Sequence, residues 1–126
     1  DTVNLASRVE GLTKKYSVGV LVTDEVRNKI EDDTIMFRKL DVITVKGKTK
    51  PTVLYEARRV SDLFEDISID YEIAFASYQK GDFDEASVLF KALANRGDIP
   101  SQIMYERIML IEKTGTWDGV WHWEEK

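Results

Sequence analysis

Asn4 and Arg8 stand four residues apart in the opening phrase DTVNLASRVEGLTKKY. On a helix that spacing puts them one turn apart on one face, where an arginine fork can hold phosphate oxygens. Gly11 and Lys15 continue that face. The plain alternative is a helix with a polar side. A second phrase, VKGK, offers Lys46, with Lys48 as its neighbouring candidate. A lysine there is a mobile point charge suited to phosphate, although solvated hairpin turns also carry lysines. Glu31–Asp33 is a run of acids at a helix end and reads as solvated. His122, flanked by Trp121 and Trp123, reads as a surface or packing residue and not as a ligand or general base.

Composition narrows the chemistry further. The 126 residues suffice for one ordinary domain or two small ones. Apolar residues make up 43% and charged residues 33%, a globular balance. A net charge of -5 argues against nucleic acid as a partner. With no Cys and a single His, neither a disulfide framework nor a thiolate or multi-histidine metal site is available. No apolar run approaches the roughly 18 residues needed to span a bilayer, so no membrane contact is expected of this segment. A cytoplasmic location follows as the expectation, with any membrane anchor lying in another part of the full protein.

The elements that must position these residues follow from periodicity. Leu5, Ala6, Val9, Leu12 and Tyr16 form one apolar stripe, which predicts a helix over Thr2–Tyr16. VGVLVT reads as a strand over Val18–Val22, and Thr23 offers a cap for a helix starting at Asp24 and ended by Asp32 and Asp33. Two strands, Ile35–Val45 and Pro51–Arg58, are joined by the turn KGKTKP. Phe37, Leu40, Val42 and Val45 do not alternate strictly, which allows a bulge. Beyond Arg59 the period becomes helical. Helices are expected at Asp70–Lys80, Phe83–Asn95 and Pro100–Lys113, broken at Gly81-Asp82 and Gly97-Asp98. Residues 1–59 and 60–126 therefore read as two parts, the second ending in a segment with all three tryptophans.

Taken together, DTVNLASRVEGLTKKY, VLVTDEV and FRKLDVITVKGKTKPTVLYEA resemble the C-terminal half of the class III nucleotidyl cyclase catalytic domain, over about residues 1–58. The resemblance implies an α+β fold, a truncated ferredoxin-like half with a short sheet and flanking helices. It implies that Asn4 orients the ribose, that Arg8 stabilises charge on the transferring phosphoryl group, and that Lys46 holds the triphosphate. It implies a homodimer through this half, because that helix face lies at the dimer interface in the family. The full protein would convert ATP to cyclic AMP and pyrophosphate, with two Mg²⁺ (or Mn²⁺) ions. In the family the metal-binding aspartates and purine-selecting residues lie on segments preceding this helix. The fragment alone is therefore expected to bind no metal and to be inactive, and a guanylate cyclase remains an alternative.

The helical part resembles a tetratricopeptide repeat through Ala74, Gly81, Phe83, Ala86 and Phe90, with the third helix as a cap. A generic amphipathic hairpin covering the sheet is the other reading. A rival function follows: a regulatory module on a degenerate cyclase scaffold, its helices binding a protein partner. An exposed apolar groove between Tyr71–Tyr78 and Phe83–Phe90 would favour that rival. Helices packed down on the strands would count against it.

Overall fold

A computed structural model of the chain describes residues 9–45 and 50–123. The fold is α+β. Residues 9–11 are helical and lead into α1 (Thr13–Tyr16). There follow β1 (Leu21–Thr23), α2 (Asp24–Arg27), β2 (Ile35–Val45) and β3 (Thr52–Arg59). Three longer helices come next, α3 (Asp62–Gln79), α4 (Phe83–Asn95) and α5 (Ile99–Thr114), and then β4 (Trp121–Trp123). The sheet order is β1-β3-β2-β4.

Local chemistry sets the boundaries. Ser17 adopts a left-handed conformation after α1, and the expected strand at Val18 begins only at Leu21, because the chain must first turn out of the helix. Thr23 caps α2 by accepting from the Val26 amide. That helix is a single turn, shorter than the DEVRNKI pattern suggested, and buries none of its residues. Ser61 caps α3 in the same way through the Phe64 amide. The helix therefore starts eight residues before the expected Asp70, and Phe64, Ile67, Tyr71, Ala74, Phe75 and Tyr78 give it one continuous buried stripe.

β2 and β3 pair antiparallel, and their register shifts between Lys39 and Asp41. This is the bulge that the broken alternation of β2 allowed. Its effect is to bury Leu40 and Asp41 in succession. Helix α3 lies against the bulge, where Tyr71 donates to the Leu40 carbonyl at 2.8 Å and Glu72 accepts from the Lys39 amide at 2.8 Å. α3 packs on α4, and α4 on α5. Finally β4 runs parallel to β2, aligning Trp121 with Ile43 and Trp123 with Val45. One core cluster joins Leu12, Tyr16, Ile43, Leu54, Tyr71, Phe90 and Ile108, so strands and helices share their hydrophobic stabilisation.

Candidate functional site

Asn4, Arg8, Lys46 and Lys48 lie outside the described residues. Their neighbours in the chain are described. Val9, next to Arg8, is 4% exposed, and the helix it belongs to runs into the fully buried Tyr16. Val45, next to Lys46, is buried and ends β2.

Tyr16 and β2 are held together by a buried polar cluster centred on Arg107 of α5. The stripe Met104, Arg107, Ile108 and Ile111 faces inward at helical spacing, so the guanidinium enters the core on an apolar face. Arg107 Nη1 donates to Asp41 Oδ2 at 2.6 Å and to the Tyr78 hydroxyl at 3.2 Å. Its Nη2 donates to the Tyr16 hydroxyl at 3.5 Å. Tyr16 in turn donates to Asp41, and Trp123 Nε1 donates to Tyr16 at 3.1 Å. The second Asp41 oxygen accepts from the Val42 amide. The guanidinium carbon also sits 4.3 Å from the centre of the Trp121 ring, a cation–π distance.

The electrostatics follow from this crowding. Burial alone would push the Arg107 pKa down, but Asp41 and then the Tyr16 and Tyr78 hydroxyls outweigh it and hold it well above its ordinary value. Burial, reinforced by Asp41, pushes the Tyr16 hydroxyl well up, and Tyr78 is raised for the same two reasons. Arg107 is thus a permanent cation, and both tyrosines are neutral hydroxyls, Tyr16 donating to Asp41 and Tyr78 accepting from Arg107.

A second cluster lies further along the same two elements. Arg38 of β2 contacts Glu56 of β3 and Asp98, the N-cap of α5. Asp98 also accepts from the Ser101 amide and hydroxyl. Burial opposes charge on Arg38, but Asp98 and then Glu56 overcome it, and its pKa is raised. Tyr71 stacks beneath the guanidinium at 4.7 Å.

At the far end of β2, His122 bridges the strand to the segment after α5. Its Nδ1 pairs with Thr44 Oγ1 at 2.7 Å, and its Nε2 with Asp118 at 2.9 Å. Beside it a cleft of about 440 Å³ is lined by Leu110, Thr114, Trp117, Asp118, Trp121 and His122. The Trp117 indole N–H is spent on the Tyr78 and Gln79 carbonyls. The indole therefore anchors the segment to α3. Among the described residues no group of three or more His, Asp or Glu side chains could hold a metal ion.

Residue spacing did not single out Arg38, Asp41, Glu56, Asp98 or Arg107. The signal available was a charge inside an apolar run: Asp41 in LDVITV and Arg107 in MYERIMLI. Charges of opposite sign embedded in two core-facing stripes require each other once buried.

An α+β module of this kind can be set beside known proteins. No family model matches the chain, and no solved structure matches it. An adenylate cyclase of Anabaena cylindrica is 42% identical over 60 residues, covering 46% of this chain and 12% of that protein. The terminal-differentiation-specific adenylate cyclase of Dictyostelium discoideum is 41% identical over 58 residues, covering 44% of this chain and 3% of its own length. Adenylate cyclase 1 of Rhizobium meliloti is 39% identical over 56 residues, covering 44% and 8%. Somewhat under half of the chain is thus an adenylate cyclase-related region, and the chain spans about an eighth or less of these relatives.

Proposed function

We propose that this chain is the C-terminal part of a class III adenylate cyclase catalytic domain with a helical extension, and that the full protein makes cyclic AMP and pyrophosphate from ATP. One observation carries the reading: about two residues in five are identical to three adenylate cyclases over 56–60 residues. In this reading Arg8 stabilises charge on the transferring phosphoryl group. Asn4 orients the ribose, and Lys46 holds the triphosphate as a point charge. Mg²⁺ or Mn²⁺, bound elsewhere in the full protein, supplies charge neutralisation on the phosphates. The active unit is a homodimer, with the face of Asn4 and Arg8 turned to the partner. ATP is favoured over GTP by the names of all three relatives. Residues 62–95 are a tetratricopeptide-like pair, with Ala74 and Ala86 buried.

Against the rival module reading, Tyr71, Tyr78 and Phe90 are fully buried and α3 packs down on β2. In its favour stands a small cleft between α3 and α4 lined by Ile73, Leu89 and Ala92. The test is cyclic nucleotide production by the full-length protein with Mg²⁺ or Mn²⁺, on ATP and GTP separately, beside Arg8→Ala. Turnover of ATP that falls about a thousandfold in Arg8→Ala is expected, by analogy with arginines that stabilise phosphoryl transfer. A folded protein that turns over neither nucleotide refutes the proposal. Cyclic AMP production by residues 1–126 alone refutes the placement of the metal site elsewhere.

A further inference from the structure

Four elements meet at the Arg107 guanidinium. Its hydrogen bonds and stacking reach Tyr16 at the end of α1, Asp41 at the bulge of β2, Tyr78 of α3 and Trp121 of β4. Trp123 closes the circuit, since its backbone aligns with Val45 and its indole donates to Tyr16. The two segments so joined are those that carry the proposed nucleotide contacts. Tyr16 ends the helix that follows Arg8, and Val45 immediately precedes Lys46.

We infer that Arg107 is a positioning residue for the cyclase reaction: it fixes the rotation and axial position of the α1 helix against β2. This inference rests on the functional reading above. The physical ground is directional. An apolar contact would hold α1 to the sheet but leave it free to roll, whereas a planar fork bonded to Asp41 and Tyr16 fixes one angle. A helix turns about 100° per residue, so a small roll displaces side chains two turns away. A misplacement of about 1 Å at a reacting centre can cost about a hundredfold in rate. The helical extension thus supplies, from about a hundred residues downstream, a lock on the helix that follows Arg8.

The test uses the full-length protein with Arg107→Met, Arg107→Lys and, as a control, Ile108→Ala. Ile108 is the next core residue of α5 and is fully buried. Steady-state kinetics on ATP are combined with amide hydrogen exchange over residues 9–18 and 41–45. Arg107→Met is expected to lower kcat about 10- to 100-fold while KM moves less than about threefold. Arg107→Lys, which keeps the charge and loses the fork, falls between. Ile108→Ala lowers the melting temperature but leaves kcat within about twofold. Exchange over residues 9–18 rises about tenfold or more in Arg107→Met and stays near wild type in Ile108→Ala. Equal loss of kcat in Ile108→Ala and Arg107→Met, or unchanged exchange over residues 9–18 in both Arg107 variants, overturns the inference. Absence of turnover in the unsubstituted protein overturns the functional reading and, with it, the catalytic half of this inference. The exchange comparison then still decides the mechanical half.

Discussion

The two buried arginines are mirror images in the way they join sheet to helix. At Arg38 the strand gives the cation and α5 gives an acid, its N-cap Asp98, while at Arg107 the helix gives the cation and the strand gives Asp41. Their charge balance differs. Arg38 faces two carboxylates, Glu56 and Asp98, whereas Arg107 faces one carboxylate and two neutral hydroxyls. The first cluster is a salt bridge that needs its cation. The second is a hydrogen-bonded fitting, in which Asp41 keeps the Tyr16 hydroxyl and the Val42 amide if Arg107 is lost. What the difference teaches is that charge excess governs stability at one site and bond direction governs alignment at the other.

That contrast sets the order of effects. Arg38→Met leaves two buried carboxylates without their cation, Glu56 losing both of its hydrogen bonds while Asp98 keeps those from Ser101. It should cost about 5 kcal/mol in denaturant unfolding, near the upper end for breaking a buried pair. Arg107→Met should cost about 3 kcal/mol, since Asp41 retains partners. A reversal of that order would break the comparison. The tyrosines sharpen it. Tyr16, Tyr71 and Tyr78 have raised pKa values when folded, so the unfolded chain releases its phenolic protons first. Their contribution is complete below about pH 10 and is lost as pH rises from there, by about 1.4 kcal/mol per pH unit for each tyrosine. Thermal melts between pH 9 and 11 should show the decline, and Tyr16→Phe should flatten it. Ser101→Ala removes one hydrogen bond to Asp98 and should cost about 1–2 kcal/mol by the same unfolding assay. Asp118→Asn weakens an exposed contact with His122 and should shift stability by less than about 1 kcal/mol.

Much of the fold was legible in the residues. The α4 span Phe83–Asn95 and the paired strands with their bulge follow from apolar period and from Gly and Pro punctuation. The start of α3 was not, because the acids in DLFEDISID interrupt the stripe, although Phe64, Ile67 and Tyr71 keep its spacing. Nor was β4. Three residues of WHW are too few for a periodic signal, and their strand character comes from pairing with β2 across some 78 positions. The candidate contacts Asn4, Arg8 and Lys46 came from phrase resemblance and stand as proposals. The charged clusters escaped because propensity and pattern treat each charge as solvent-seeking, and only tertiary pairing makes burial affordable.

The separations within the Arg107 cluster carry one more consequence. Its bonds span 66 residues from Asp41, 91 from Tyr16 and, through Trp123, 107. Contacts so distant in sequence close late, after the loop entropy of nearly the whole segment has been spent. On the ribosome the β2–β3 pair and the first helix emerge long before their clasp. The nascent chain must therefore hold Asp41 in a wet, unlatched strand until α5 and the tryptophan strand have followed.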